Sequence, residues 1–159
     1  MVIAVVSDTH NYKEMVDNVI KSIEDVDMVI HLGDVVEDAK YIAQHFNGRT
    51  IYVRGNCDMS SSVPIERVEI IEGKKIFITH GHNYHVKEGL LRLKYKAEEI
   101  GADIVLYGHT HIASVEYHGG ILFINPGSTS ICRKGKNSIA ILEINPNEVN
   151  ATIRSIIVK

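Results

Sequence analysis

VIAVVSDTH, residues 2–10, sets how the rest of the chain is read. Five apolar residues in a row, mostly β-branched, have strand length and lack the alternation of a strand with one wet face. They predict a strand covered on both sides, as in a parallel α/β sheet. The run ends at Ser7, and Asp8 and His10 follow at once, both able to bind metal. In open α/β sheets the carboxyl ends of strands are where ligand sites form.

Downstream, Met15, Val16, Val19, Ile20 and Ile23 recur at the helical period, with Asn11 placed to cap the helix and Glu14 to reach back to it. Met28 to Leu32 predicts a second strand, Ala39, Ile42, Ala43 and Phe46 a second helix closed by Asn47-Gly48, and Thr50 to Arg54 a third strand. This β-α-β-α-β order implies right-handed parallel crossovers. Strands are expected at Val68 to Ile71, Lys75 to Thr79 and Ile104 to Tyr107, with a helix from Lys87 to Ile100 ended by Gly101. The tail changes character: Val115 to Tyr117, Ile121 to Asn125, Ser138 to Ile144 and Val149 to Ile157 read as hairpin strands. Parallel units followed by hairpins predict an α/β fold, two mixed β-sheets packed face to face as a sandwich with helices on the outer faces. No linker, repeat or charge block interrupts the chain, so residues 1–159 are expected to form a single domain.

The composition is that of an ordinary globular chain, 45% hydrophobic and 23% charged, which excludes disorder and a coiled coil. No apolar run approaches the roughly 18 residues of a membrane span, and the first is too short for a signal peptide. Two cysteines, Cys57 and Cys132, exclude a disulfide scaffold and suit a reducing compartment, so the expected location is cytoplasmic, with no membrane partner. A net charge of -3 disfavours nucleic acid as a partner. Edge strands in the tail leave homo-oligomerisation open. Nine histidines stand out against that background.

Their placement is ordered. Gly33-Asp34 follows the second strand, Gly55-Asn56-Cys57-Asp58 the third, His80-Gly81-His82 the strand ending at Thr79, and Gly108-His109-Thr110-His111 the strand ending at Tyr107. Asp8 and His10 lie at i and i+2 and are expected on one side of an extended segment, with His109 and His111 repeating that geometry. Asp34 can bridge two ions about 3.5–4 Å apart, with Asn56 and His80 completing the ligand set of the second ion. Carboxylate, imidazole and amide donors without a thiolate suit two divalent ions, Mn²⁺ favoured, with Fe²⁺, Ni²⁺, Mg²⁺ or a catalytic Zn²⁺ as alternatives. With only Asp8 and Asp34 as anionic ligands, two such ions leave the pocket positive, a place for phosphate. Arg92, Lys94, Lys96 and Lys87 form a basic stretch read as a solvated helix face.

The series Asp8-x-His10, Gly33-Asp34, Gly55-Asn56-Cys57-Asp58, His80-Gly81-His82 and Gly108-His109-Thr110-His111 resembles the signature of the calcineurin-like metallophosphoesterases, in particular the compact YfcE/MJ0936-type phosphodiesterase subgroup. The resemblance implies one metal site from Asp8, His10, Asp34 and His111 and a second from Asp34, Asn56, His80 and His109. It implies a phosphodiesterase in which a hydroxide bridging the ions attacks phosphorus in line with the leaving group of a small phosphodiester or phosphate ester. Catalytic roles are then expected for Asp34 and Asn56. Asp58 is expected to hold the Asn56 turn or a ligand imidazole, and His82 to touch substrate or orient a ligand. Cys57 stands where the larger family usually has a histidine, and a neutral thiol is a poor substitute for an imidazolium. Glu37 stands where many relatives have aspartate. The runner-up is a non-catalytic interaction scaffold similar to the retromer subunit Vps29, whose likeness to the family includes altered metal ligands.

Overall fold

Along β1 (Val2–Val6), Ile3 and Val5 face one way and Ala4 and Val6 the other, and all four are fully buried. The first pair enters a core between two sheets, the second a core beneath two helices. A strand with no wet face has no polar positions to alternate, hence the unbroken apolar run. The computed structural model describes residues 1–157. In chain order, β1 is followed by α1 (Lys13–Ser22), β2 (Met28–His31), α2 (Val36–His45), β3 (Arg49–Tyr52), β4 (Glu66–Ile71) and β5 (Lys74–Thr79). A single 3₁₀ turn (His82–Tyr84) leads to α3 (Leu91–Ile100), β6 (Ile104–Leu106), β7 (Ser114–His118), β8 (Ile121–Asn125), β9 (Ser138–Ile144) and β10 (Val149–Ser155).

The strands form two mixed five-stranded sheets, ordered β10-β9-β1-β2-β3 and β4-β5-β6-β8-β7. β1, β2 and β3 run parallel, as do β5, β6 and β8. The expected sandwich is present, and the tail divides between its layers: β7 and β8 extend the second sheet, while the β9–β10 hairpin returns to pair antiparallel with β1. Ile30, Leu32, Ile76, Ile78, Leu106 and Ile124 fill the space between sheets. α1 and α2 cover the first sheet through Val16, Val19 and Ile42, and α3 covers the second through Leu93 and Ala97 against Phe77 and Phe123. Among the described residues no helix is long and apolar enough to cross a membrane.

Two sequence expectations fail locally. Asn11 does not cap α1: it adopts a left-handed backbone (φ 62°), and its N–H goes to Asp38 Oδ2 at 2.9 Å, while the Tyr12 carbonyl receives the first helical N–H groups. α3 starts at Leu91 rather than Lys87, because Gly89 sits at φ 133°, outside any helical conformation.

Candidate metal centre

The carboxyl ends of β1, β2, β3, β5 and β6 meet at one rim of the sandwich, and each delivers its polar residues through a tight turn. Asp8 (φ 55°), His10 (φ 49°), Asp34 (φ 47°), His109 (φ 69°) and His111 (φ 59°) all have left-handed backbones. The i, i+2 reasoning for Asp8/His10 and His109/His111 is therefore corrected: neither pair lies on an extended segment. Such conformations are costly for residues with a Cβ and concentrate at functional sites. The glycines give the clearance the turns need. A Cβ at Gly55 would collide with Asp34 Oδ1, and one at Gly108 with Ser7 Oγ.

Each carboxylate spends one oxygen on the fold and turns the other inward. Asp8 Oδ2 accepts the Ser7 hydroxyl (2.6 Å) and the His109 N–H (3.1 Å). Its Oδ1 is buried with no hydrogen-bond partner and faces His111 Nε2 at 3.0 Å and His10 Nε2 at 3.6 Å. Asp34 Oδ1 accepts the Cys57 N–H (2.9 Å), and Oδ2 faces His80 Nε2 at 3.3 Å. The imidazoles are oriented in the same manner. His80 Nδ1 donates to the Leu32 carbonyl and His111 Nδ1 to the Ile131 carbonyl, both at 2.8 Å. A carbonyl only accepts, so the proton sits on Nδ1 and the Nε2 lone pair points into the centre.

Two groups of donors result. Asp8, His10 and His111 form one, with His10 Nε2 and His111 Nε2 3.3 Å apart. Asp34, His80 and His109 form the other, with His80 Nε2 3.2 Å from His109 Nδ1 and 3.1 Å from Asn56 Oδ1. The His80 and His111 lone pairs, gathered with neighbouring ring nitrogens, an amide oxygen and an orphaned carboxylate oxygen, are satisfied by cations; these residues fit divalent metal. The structure thus brings together all seven residues proposed as ligands, and a third group joins His10, Asp34 and Cys57.

Electrostatics agree with that arrangement. Burial opposes ionisation of Asp8, but His10, His111, His80 and Ser7 outweigh it and hold its carboxyl far below the ordinary range. Burial likewise opposes Asp34, and His80 with the Cys57 N–H brings it down to about 2. The neighbouring Asp8 carboxylate raises His10; His80 is raised too, burial being overcome by Asp34 and Asp8. Burial, then the charges of His80 and Lys87, pull His109 down to about 4.

The remaining expectations fall as follows. Asp58 accepts N–H groups from Asp34 (3.0 Å), Val36 (2.8 Å) and Gly55 (2.8 Å). It thereby locks the Asp34 turn to the Gly55 turn and touches no imidazole. His82 stands beside the His80 and His109 rings, centroids 5.4 and 6.1 Å away, and bonds to neither. The Cys57 thiol, at the exposed rim, is pushed up to about 11 by burial and by Asp34, so it stays neutral. Glu37 pairs with Lys40 in solvent and leaves the centre alone. Sequence reasoning missed three supports: Ser7, Ser128, whose hydroxyl donates to the Asp8 carbonyl (2.8 Å), and Asn125, whose amide donates to the Gly108 carbonyl and Thr110 Oγ1. Asn125 was findable, since it too stands at the carboxyl end of a parallel strand.

The profile of the calcineurin-like phosphoesterase superfamily domain matches residues 1–147. A probable metallophosphoesterase of Bacillus subtilis, YsnB, is 36% identical over 156 residues, covering 97% of this chain and 89% of its own. The phosphodiesterase MJ0936 of Methanocaldococcus jannaschii is 29% identical over 171 residues, covering 93% of this chain and 96% of its own. The crystal structure of Vps29 complexed with zinc from Entamoeba histolytica shares the fold at TM-score 0.78 and 22% identity, over 97% of each chain.

Proposed function

This chain belongs to the calcineurin-like phosphoesterase superfamily, and on that footing we propose that it is a phosphodiesterase working with two divalent ions, Mn²⁺ favoured, on small phosphodiesters. One observation supports the reading: the buried, unpartnered Asp8 Oδ1 and the clustered ring nitrogens of His10, His80, His109 and His111 leave donors enough for two adjoining cations. Asp8, His10 and His111 would hold one ion, His80, His109 and Asn56 the other, with Asp34 shared. When bound, such ions acidify water for in-line attack on phosphorus and neutralise the phosphoryl oxygens.

The chain's own residues do the rest. The His80–Leu32 and His111–Ile131 hydrogen bonds fix ring tautomers, so the donors need no reorientation. Asp58 keeps the shared carboxylate and the Asn56 turn in register. His82 and Cys57 line the rim where substrate enters. A thiol that stays neutral gives weak help to a departing alkoxide, which favours diesters with good leaving groups over alkyl monoesters.

An intact donor set favours hydrolysis over a scaffold on the same fold. Purified protein with Mn²⁺ is expected to release nitrophenolate from bis-p-nitrophenyl phosphate, and Asp34→Ala or His109→Ala to abolish it. Turnover that survives chelation and both substitutions sinks the proposal.

A further inference from the structure

A groove of about 430 Å³ opens beside the metal centre, on the side of the segment joining β8 to β9. Val86, Leu90 and Ile112 wall it with apolar surface, and Lys87 and Arg133 stand on its banks. Thr110 also lines it, a residue that lies between His109 and His111 in the chain and is fixed by the Asn125 amide at 3.0 Å. The bank is tied to the centre: the Arg133 N–H donates to the His111 carbonyl at 3.1 Å.

The charge on this side runs against that of the chain. Lys87 and Arg133 have no carboxylate partner within ion-pair distance among the described residues. Residues 126–142 contain Arg133, Lys134 and Lys136 and no acid. Glu37 and Asp38 stand instead in the first turn of α2 and do not line the groove, Asp38 accepting the Asn11 N–H. Glu116 also borders the groove but is engaged by His118 at 2.9 Å.

We propose that this groove seats the non-departing arm of the phosphodiester, and that it selects an apolar or aromatic arm bearing a second negative charge, held between Lys87 and Arg133. The proposal rests on the phosphodiesterase reading and adds the substrate class. In the step it serves, the oxygen of water bonds to phosphorus, the far ester bond breaks, the leaving group departs with the electron pair, and the proton of the water passes to solvent.

Two synthetic diesters with one leaving group test it: 4-nitrophenyl 4-carboxyphenyl phosphate and 4-nitrophenyl phenyl phosphate, both with Mn²⁺. The carboxylate is expected to raise kcat/KM about 5- to 10-fold at low salt, through KM, as two exposed ion pairs allow. The ratio falls to about 1 in Lys87→Gln/Arg133→Gln and in 1 M salt, and stays as in the wild type in Lys40→Gln, across the centre. A second readout avoids turnover: with Mg²⁺, titrating 4-carboxyphenyl phenyl phosphate is expected to shift the methyl resonances of Leu90 and Ile112 but not of Ile70. Equal cleavage of the two nitrophenyl diesters, a ratio that persists in the double variant, or unmoved methyl resonances overturns the subsite alone. No release from either diester overturns the phosphodiesterase reading, and the subsite with it.

Discussion

Asp8, His10 and His111 meet where water still reaches, the side chains of His10 and His111 being 20% and 12% exposed. In the other donor group His80 is fully buried and Asp34 is 3% exposed. The inner group is also more heavily braced, with Asp58 on three backbone N–H groups and His31 beneath it. His31 is buried within the first sheet; its Nδ1 accepts the Gly33 N–H at 3.1 Å, so its proton lies on Nε2 and is donated to Thr9 Oγ1 at 3.1 Å. The Thr9 hydroxyl in turn donates to the Asp34 carbonyl. The outer group leans on exposed loop backbone around Ile131. His80 is thus part of the core and His10 and His111 part of the surface, although each group mixes the two, Asp8 being fully buried and Asn56 exposed.

That contrast is most directly broken by paired truncations. His80→Ala is expected to lower kcat/KM by about 1,000-fold, some 4 kcal/mol of barrier, with no recovery at high Mn²⁺. His10→Ala is expected to cost only about 30-fold and to recover largely as Mn²⁺ is raised, because water can replace an exposed donor. Metal titrations of activity, with circular dichroism to confirm folding, check both; equal and equally irreversible losses would erase the distinction.

The bracing under the inner group can be read through pH. Burial lowers His31 from an ordinary value near 6.5 to about 4. Between those values the unfolded chain binds a proton that the native chain does not, so stability is lost as pH falls through this window. The loss from this group is about 3 kcal/mol between pH 7 and pH 4. Urea unfolding across that range is expected to show a shallower decline in His31→Gln than in the wild type; parallel curves would mean that His31 is not the group responsible.

The smallest effect concerns Cys57, at the exposed end of the inner group. A thiol that stays neutral moves no proton at working pH, so Cys57→Ser is expected to change kcat/KM for bis-p-nitrophenyl phosphate by less than about 3-fold. A loss near that of His80→Ala would make the rim as demanding as the core.

Much of this was readable in the residues, for identifiable reasons. Apolar runs and helical periods located the strands and helices, because a strand buried on both faces leaves an unbroken pattern, and polar residues just past each strand named the donors. The grouping of those donors was not readable from periodicity, since it depends on turns: Asp8, His10, His109 and His111 reach their places through left-handed backbones that no i, i+2 rule describes. The supports were hidden for a different reason. Ser128 meets Asp8 across 120 positions of chain and Asn125 meets Gly108 across 17, and only the packed sheets bring such partners together.

Ligands drawn from both layers also have a mechanical consequence. Asp8, His10, Asp34 and Asn56 belong to turns of one sheet, His80, His109 and His111 to turns of the other, and the apolar filling between the layers resists sliding poorly because it has no direction. Cations seated among them would act as rivets through the seam, so that stripping them would loosen the lip of the sandwich while its oily middle stayed shut.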